Sequence, residues 1–524
     1  MSENSAIAET AKIAVLGNVD AGKSTLISVL VNNKLDDGRG SARKMITKYK
    51  HELDTGRTST ASFHYLVGEP AVTPPTVSNE NSNNNSTKNP NESKETSQRS
   101  VTTLIDLCGH EKYFKTTLFG VLGLFADYGL VIVGSNMGVV GMTKEHLVLM
   151  ITNNMPIVIA VTKIDICPPQ ILKGTKDTIC ALMRHRQVKR NPILIDTPQD
   201  DSDENVKKYL DQFNENIYTN VPVISISSKE DINIKFLRKF LMHMKSQRLV
   251  QQFTREISPV TDDMGIMYLD QCYSIRGIGF VFSGTLQGGV FKVGDTVYCG
   301  PFESQKINMN SKTKEKYQPD GEYQPLTIRS IHNCIREDVS SLQPEQSGAL
   351  SVRFTGKKFE FNRHKFRKGL VLAKNLESAK SCTTWYFTAN VEIFHHPTTV
   401  TNGYQTVIQC KTVRQPAEIR IEGKDYLRSG DKCKVQFTFL NKAEYIRVGS
   451  VFMFRDGKTK GRGVVTSLTQ IEEKPIETIV GEKPIETIVG EKPIETQIAN
   501  LSLNEADPVP NMVPTVSKEN HVSN

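Results

Sequence analysis

The segment GNVDAGKST, from Gly17 to Thr25, constrains the fold of this 524-residue chain more than any other segment. It follows the apolar run AKIAVL and precedes TLISVLVNN, which reads as a helix. This is the G-x-x-x-x-G-K-S/T pattern in a strand, loop and helix context, where backbone N–H groups and the helix N-terminus hold phosphate oxygens. A glycine-rich turn without a ligand is the alternative, and the length of the pattern argues against it. The pattern predicts a phosphate-binding loop in an α/β domain.

Within this loop, Lys23 is placed to neutralise the β- and γ-phosphates of a nucleoside triphosphate, and the hydroxyl of Ser24 can bind Mg²⁺. The residues expected to contact the phosphates are Gly17, Asn18, Val19, Asp20, Ala21, Gly22, Lys23, Ser24, Thr25 and Gly109.

A second motif, DLCGH from Asp106 to His110, ends the next core strand. A carboxylate such as Asp106 can hold Mg²⁺ through water, and the N–H of Gly109 can contact the γ-phosphate. Because that phosphate is present only before hydrolysis, we expect GTP to order the following segment, EKYFKTTLFG.

Two further motifs indicate guanine. Asp165 of TKID can accept hydrogen bonds from guanine N1–H and the 2-amino group, which adenine does not present, and Lys163 can lie along the base. A helix N-cap is the alternative for Asp165. It weakens because SISSK follows the last strand, where backbone N–H groups can meet guanine O6. The predicted guanine site comprises Thr162, Lys163, Asp165, Ser227, Ser228 and Lys229.

A second hydroxyl ligand for Mg²⁺ is required between the phosphate loop and Asp106. DTGRTST, residues 54–60, supplies Thr58 as the preferred residue, with Thr55 and Thr60 as alternatives. The predicted metal set is therefore Ser24, Thr58 and, through water, Asp106.

The apolar runs predict the architecture. Continuous apolar strands at 11–17, 101–107, 129–134, 155–165 and 221–227 indicate a mostly parallel sheet with helices on both faces. From about residue 258, short β-branched and aromatic strands broken by Gly and Asp are typical of antiparallel barrels. The predicted fold class is multidomain, an α/β domain followed by two all-β barrels.

The predicted domain boundaries follow from these changes in the apolar pattern. Residues 10–250 form the first domain, 258–376 the second and 381–470 the third. Residues 1–9 and an Asn-rich insertion at 69–100 are expected to be disordered, as is the acidic tail at 472–524, which repeats EKPIETIVG.

Charge and cysteine content bear on the partners of the protein and on its cellular compartment. The tail carries ten acidic and four basic side chains, so the net charge of +8 leaves +14 on the body. This charge fits a polyanionic partner such as a nucleic acid and an ordinary solvated surface equally well. Nine scattered cysteines suggest neither disulfides nor zinc. Without a signal peptide or a membrane-length apolar run, we expect a cytoplasmic, monomeric protein that binds neither membrane nor DNA.

These motifs resemble the translational GTPases related to elongation factor Tu. GNVDAGKST, GRT, DLCGH and TKID followed by two barrels carry the resemblance. Within that group, the chain is most similar to the GTP-binding protein 1 and 2 family, over about residues 10–468. The segments that carry this likeness are GRTST, DLCGHEKYFKTTLFG, VGSNMGVVGMTKEH, TKIDICP and HHPTT.

The resemblance implies that the chain hydrolyses GTP with Mg²⁺. His110 is similar to the histidine that positions the attacking water once the ribosome pushes it inward, so intrinsic hydrolysis should be slow. Two positions depart from the family. Arg57 replaces an apolar residue, so a gate with Val19 around His110 cannot be assumed. Thr162 replaces Asn, which keeps a hydroxyl but loses the amide that ties the base site to the phosphate loop. Guanine affinity is therefore expected to change, while Asp165 should still select the base.

The resemblance further implies that the second domain holds the aminoacylated end of tRNA and the third its stem. Residues 380–468 carry fourteen basic and seven acidic side chains. Candidate RNA phosphate contacts are Arg414, Arg455, Lys458, Lys460 and Arg462, each of which has an ordinary solvated charge as its alternative.

Two functions stay open at this point. The first is a GTPase triggered by the ribosome or RNA that engages aminoacyl-tRNA. The second is a GTP-dependent adaptor for RNA or ribosomes that acts with the RNA-decay machinery or in ribosome quality control, with incidental hydrolysis.

Overall fold

The structure is a computed structural model. It describes residues 7–47, 52, 58–68, 99–196, 199–246, 264–302, 321–356, 359–456 and 459–468. Most of the Asn-rich insertion, the repeat tail, Arg57 and Lys458 lie outside these residues, so the expectations for them stay predictions.

The first domain is a seven-stranded sheet in the order β2-β3-β1-β4-β5-β7-β6, parallel except for β2. Its strands are β1 (Ile7–Gly17), β2 (Ser62–Val67), β3 (Arg99–Asp106), β4 (Tyr128–Gly134), β5 (Ile157–Thr162), β6 (Asn191–Ile195) and β7 (Asn220–Ser225). Its helices are α1 (Lys23–Asn32), α2 (Ser41–Lys44), α3 (Phe114–Leu122), α4 (Gly141–Thr152), α5 (Pro169–Arg184), α6 (Asp203–Glu215) and α7 (Ile234–Met242), with a 3₁₀ turn at Glu111–Tyr113.

Every residue of β4, β5 and β7 is buried, which is why these strands read as unbroken apolar runs. One face of the sheet packs on α3, α4 and α5, and the other packs on α1, α6 and α7. The predicted α/β architecture is confirmed. The phosphate loop follows β1, so it lies at the carboxyl edge of the sheet.

The structure corrects three details of the sequence analysis. β1 begins at Ile7, inside the N-terminal segment expected to be disordered, and β3 begins at Arg99, inside the predicted insertion. Sequence analysis also missed β2 and β6. Both are edge strands, and β6 has five residues and contains Pro192, so neither carries the long apolar signal of a central strand.

The second domain is a closed six-stranded barrel, because β11 pairs with both β12 and β16. Its strands are β8 (Ile266–Ile275), β9 (Gly279–Gln287), β10 (Phe291–Lys292), β11 (Thr296–Phe302), β12 (Glu322–Asn333), β13 (Asp338–Val339), β14 (Ser341–Leu342), β15 (Ser347–Phe354) and β16 (Val371–Ala373). A 3₁₀ turn spans Arg363–Lys365, and α8 (Leu376–Ser381) connects this barrel to the next.

The third domain is a second closed barrel, in the order β18-β23-β21-β20-β25-β26. Its strands are β17 (Thr383–Thr384), β18 (Tyr386–His395), β19 (Val400–Thr401), β20 (Gln405–Cys410), β21 (Val413–Ile421), β22 (Tyr426–Leu427), β23 (Lys432–Phe439), β24 (Glu444–Tyr445), β25 (Val451–Asp456) and β26 (Thr459–Ser467). Both predicted barrels are therefore confirmed. Within the described ranges, no helix combines the length and apolar character that crossing a bilayer requires.

Candidate nucleotide site

The loop between β1 and α1 has a backbone that only small residues adopt easily. Gly22 has a φ of 90°, and a side chain at Gly17 would collide with the backbone carbonyl of Ile132. Among the described residues no side chain caps α1, and its first turn contains no acidic residue. The N–H groups at the start of α1 therefore face the cavity without a protein anion to satisfy them, as an anion-binding loop requires.

Lys23 lies at the bottom of this cavity with 7% of its surface exposed. Its Nζ donates a hydrogen bond of 2.7 Å to the carbonyl of Asn18. Burial lowers the pKa of Lys23, and the charge of Asp106 opposes that shift. A phosphate chain would supply the negative charge that a desolvated ammonium needs.

Ser24, Thr58 and Asp106 meet beside Lys23. The Ser24 hydroxyl donates to Asp106 Oδ2 at 2.8 Å and lies 3.1 Å from the hydroxyl of Thr58. Asp106 is 3% exposed, and its Oδ1 has no hydrogen-bond partner in the described part of the chain. Burial raises the pKa of Asp106, and the positive charge of Lys23 offsets part of this rise. An orphaned carboxylate oxygen beside two hydroxyls is the hard oxygen donor set that Mg²⁺ prefers, so the residues fit the ion.

His110 lines the same cavity and is partly exposed. Its Nδ1 accepts a hydrogen bond of 3.1 Å from the backbone N–H of Lys112, at the start of the 3₁₀ turn. In the neutral imidazole this contact assigns the proton to Nε2, so Nε2 is the group that is free to donate to a water or a phosphate oxygen. The ring also makes an edge contact with Tyr113, with centroids 6.2 Å apart.

The predicted guanine-binding residues converge on the other end of the cavity. Asp165 Oδ1 accepts a hydrogen bond of 2.8 Å from Ser227, whose hydroxyl in turn accepts from the N–H groups of Lys229 and Glu230. This network fixes the Asp165 carboxylate at the mouth of the site. The alternative of a helix N-cap fails, because α5 begins at Pro169, four residues further on.

Thr162 connects the two halves of the nucleotide site. Its hydroxyl donates to the carbonyl of Ala21 at 2.7 Å, so the base site is tied to the phosphate loop without an amide. Lys163, with a φ of 61°, turns the chain at this point, and its carbonyl accepts from Ser135 at 2.9 Å. The hydroxyl that Thr162 keeps therefore makes the contact between the two loops.

The segment Asp36–Gly40, which sequence reasoning missed, forms the remaining wall together with Arg43. All of these residues line a cavity of about 580 Å³, together with Val19, Asp20, Gly22, Lys23, Ser24, Thr25, Thr58, Gly109, His110, Thr162, Lys163, Asp165, Ser228 and Lys229. Asp106 and Ser227 are not part of this lining and hydrogen-bond to Ser24 and Asp165, which are. The N–H of Asp36 donates to the carbonyl of Ser228 at 3.0 Å, which joins this wall to the guanine loop. The run DDGRG directly after α1 was the available signal.

Comparison with known proteins agrees with this geometry. A family model described as the elongation factor Tu GTP binding domain matches residues 8–257. GTP-binding protein 2 of Homo sapiens is 31% identical over 468 residues, which cover 88% of this chain and 69% of that protein. The chain belongs to the GTP-binding protein 1 and 2 family of translational GTPases.

GTP-binding protein 1 of Xenopus laevis is 34% identical over 459 residues, 88% of this chain. The chain spans 63% of the length of that relative. Among solved structures, elongation factor SelB from Methanococcus maripaludis in complex with the GTP analogue GPPNHP superposes with a TM-score of 0.55 at 17% identity, covering 88% of this chain and 80% of that chain. The structural likeness supports the same three-domain fold, and the family resemblance inferred from the motifs is confirmed.

The barrel cations predicted to contact RNA have different surroundings. Arg455 and Lys460 bind Glu145 of α4 at 3.2 and 2.8 Å, and the Arg455 guanidinium lies 4.1 Å from the centre of the Phe114 ring. A carboxylate of the first domain therefore already pairs both cations, and their role as RNA contacts stays a prediction. Arg414 is exposed on β21, and Arg462 is partly buried on β26.

Helix α3, which directly follows His110 and the 3₁₀ turn, contacts both barrels. Lys368 of the second domain lies 3.4 Å from the centre of the Phe119 ring, and Arg455 of the third packs on Phe114. The buried His146 of α4 also stacks on Phe114, with centroids 6.0 Å apart, and burial lowers the pKa of His146 to about 3. A neutral ring therefore supports the start of α3 at all ordinary pH values.

Proposed function

We propose that the chain hydrolyses GTP to GDP and phosphate when the ribosome or an RNA triggers it, and that it engages aminoacyl-tRNA with its barrels. GTP binding follows from the family and from the cavity. The trigger, the RNA and a cytoplasmic setting are the proposed parts.

The continuity from His110 to α3 carries this proposal. The N–H of Gly109 is placed to contact a γ-phosphate, His110 follows directly, and α3 begins at Phe114. Since Phe114 and Phe119 pack on cations of the third and second domains, a displacement at His110 is transmitted to the two barrels through one short helix. Conversely, an RNA that moves the barrels can move His110.

Each site residue has a defined task in this reaction. Lys23 neutralises the β- and γ-phosphates, and Asp165 selects guanine. His110 orients the attacking water through Nε2. Phosphoryl transfer depends mainly on positioning and charge stabilisation, so one misplaced histidine is sufficient to keep the reaction slow until a partner corrects it.

Ser24, Thr58 and Asp106 are the residues that we propose to hold Mg²⁺, with Asp106 acting through water. When bound, the ion would supply positive charge against the charge that develops on the phosphate oxygens. The protein supplies two hydroxyls and one buried carboxylate with an unsatisfied oxygen.

His110→Ala tests the assignment. We expect the variant to bind GTP as the unaltered chain does, and to lose on the order of 10²- to 10⁴-fold in GTP turnover stimulated by purified ribosomes, the usual contribution of a positioned proton-transfer group. The measurement is phosphate release with and without ribosomes. His364→Ala, at an exposed histidine of the second domain, is the control. Unchanged stimulated turnover in His110→Ala removes this residue from the mechanism.

The second candidate is the GTP-dependent adaptor for RNA decay or ribosome quality control. It is favoured by the engagement of Arg455 and Lys460 by Glu145, which removes two cations from the surface available to a tRNA stem. Filter binding with GTP present separates the two functions. The first expects aminoacyl-tRNA to bind more tightly than deacylated tRNA or unrelated RNA, and the adaptor expects no such preference.

A further inference from the structure

The turn between α5 and β6 is basic over its whole length. Residues 184–190 read RHRQVKR, with four fixed cations in seven positions. The backbone of this turn is held internally, because the N–H groups of Val188 and Lys189 both donate to the carbonyl of His185 at 2.9 Å. The N–H of Arg190 donates to the carbonyl of Met183 at 2.8 Å. The turn therefore has a defined shape that points Arg190 inward.

Arg190 differs from its neighbours in burial. Arg184, Arg186 and Lys189 are exposed, whereas Arg190 keeps 6% of its surface accessible. Its guanidinium makes no hydrogen bond and no ion pair with any residue that the structure describes, and its Nη1 is inaccessible and unsatisfied. Burial lowers the pKa of Arg190, with no neighbouring charge contributing to the shift. An arginine stays protonated in proteins, so this is a buried positive charge without a counter-charge.

Such a charge costs stability unless something pairs with it. The carboxylate that lines the same cavity as Arg190 is Glu392 of β18. Glu392 bonds instead to Lys432, 3.4 Å away, and forms no ion pair with Arg190. The counter-charge of Arg190 must therefore come from outside the described part of the chain.

Arg190 lines a cavity of about 350 Å³ between the first and third domains. Its apolar and aromatic walls come from both domains: Val148 and Ile151 of α4, Tyr218 of the turn before β7, and Phe394 of β18. Thr152 and Thr219 add hydroxyls. The volume is within the usual range of small-molecule sites, which combine apolar walls with a few placed polar groups.

The position of the cavity separates it from the nucleotide site. Arg190 and Thr219 immediately precede β6 and β7, so the cavity lies at the amino edge of the parallel sheet. The nucleotide cavity lies at the carboxyl edge. A ligand at one edge does not contact a ligand at the other, and the two sites can be occupied together.

We propose that this cavity binds a phosphate monoester, with Arg190 as the residue that anchors it. The planar guanidinium fork matches phosphate oxygens in pairs, and the compact dianion supplies the missing counter-charge. Exposed Arg186 and Lys189 at the rim draw an anion toward the site. A cation would be repelled, and a neutral ligand would leave Arg190 unpaired. Because both domains line the cavity, the ligand also stabilises the contact between the first and third domains.

Two sources present this chemistry: a free mononucleotide and the 5′-phosphate end of an RNA. Calorimetry with the full chain, its nucleotide cavity saturated with GDP and Mg²⁺, distinguishes them. The probes are AMP against adenosine, and a short RNA with a 5′-phosphate against the same RNA with a 5′-hydroxyl. We expect the phosphorylated member of at least one pair to bind on the order of tenfold more tightly or better, the effect of a charge-assisted hydrogen bond. The pair that responds identifies the source.

Arg190→Met tests the anchor, with Arg186→Met as the matched control on the same turn. We expect Arg190→Met to lose the preference for the phosphorylated probe and Arg186→Met to keep most of it. Arg190→Lys, which retains charge without the fork, should retain part of it.

Thermal unfolding gives an independent reading. Since Arg190→Met removes an unpaired buried charge, it should raise the melting temperature without ligand, and the phosphorylated probe should raise the melting temperature of the unaltered chain only. The proposal is overturned if no phosphorylated probe binds at millimolar concentration. It is equally overturned if Arg190→Met binds as before, or if it melts lower because Arg190 has a structural partner.

Discussion

The nucleotide cavity and the contact between α4 and the third domain both shield charged side chains from water, but the charges are satisfied in only one of the two places. At the cavity, Lys23 is desolvated, and a buried oxygen of Asp106 has no hydrogen-bond partner among the residues that the structure describes. At the domain contact, Glu145 binds both Arg455 and Lys460.

The pKa directions express the same difference. Burial raises the pKa of Asp106 above its ordinary value. Burial would also raise the pKa of Glu145, but the hydrogen bonds and charges of Lys460 and Arg455 outweigh it, so that pKa is lowered. Charges that the protein satisfies by itself hold domains together, and charges that it leaves unsatisfied mark the places where a ligand completes the structure.

The largest expected effect concerns Lys23. Lys23→Met keeps the length of the side chain and removes the charge, and we expect the affinity for GTP to fall on the order of a hundredfold, because two phosphates lose a charge-assisted partner. Equilibrium binding of a fluorescent GTP analogue measures the loss. Lys34→Met, an exposed lysine beyond the end of α1, serves as the control. A change of less than fivefold in Lys23→Met would show that the cavity does not depend on its unsatisfied charge.

The next effect concerns the satisfied charge. Glu145→Gln removes the shared partner of Arg455 and Lys460, and we expect a loss of about 1 to 2 kcal/mol in the free energy of unfolding, since the pairs are partly exposed. Chemical denaturation measures the change, with exposed Glu215→Gln as the control. If the two variants are equally stable, the contact at α4 does not hold the third domain.

The same contact should depend on pH. Because the pKa of Glu145 is lower in the folded chain than its ordinary value of 4.5, its contribution is complete above that value and is lost as pH falls through the folded pKa. We expect Glu145→Gln to remove this part of the acid sensitivity. Denaturation curves at pH 7 and near pH 4 test it: the stability difference between the two chains should shrink at the lower pH. A difference that is constant with pH contradicts the assignment.

The smallest effect concerns the connection between the two halves of the nucleotide site. Thr162→Val removes the hydrogen bond to Ala21, and we expect about fivefold weaker GDP binding, the effect of roughly 1 kcal/mol. Thr162→Ser keeps the hydroxyl and should bind GDP nearly as the unaltered chain does. Unchanged GDP binding in Thr162→Val, which keeps the methyl group, would show that the hydroxyl does not contribute.

Much of the nucleotide site could be predicted from the sequence because its chemistry is local. Gly17 to Thr25 form one continuous segment, so their spacing in the sequence is also the spacing of N–H groups around a phosphate. Asp106 and Thr162 end buried strands and Asp165 follows three residues later, and parallel strands bring their carboxyl ends to one edge. The roles assigned to these residues stay predictions, although Thr162 and Asp165 line one cavity with the phosphate loop and Asp106 bonds to Ser24 of its lining.

Contacts between distant parts of the chain could not be predicted from the sequence. Arg455 and Lys460 read as free cations because nothing in their own strands predicts Glu145, which precedes Lys460 by 315 residues. The hydroxyl of Thr162 reaches a carbonyl 141 residues away, so its role could not be read from TKID alone. The strands β2 and β6 were missed because each lies at an edge of the sheet, pairs with one neighbouring strand only and has a short apolar run.

The sequence by itself determined the order of domains, the strands at the centre of the sheet and the loop that holds phosphate, since each depends on neighbours along the chain. Only the tertiary structure decided which charges have partners. Pairing depends on distances of a few ångströms between segments hundreds of residues apart, and on whether water is excluded there. For this reason Arg455 pairs with Glu145, whereas Arg190 has no partner among the described residues, although the sequence around each arginine does not distinguish them.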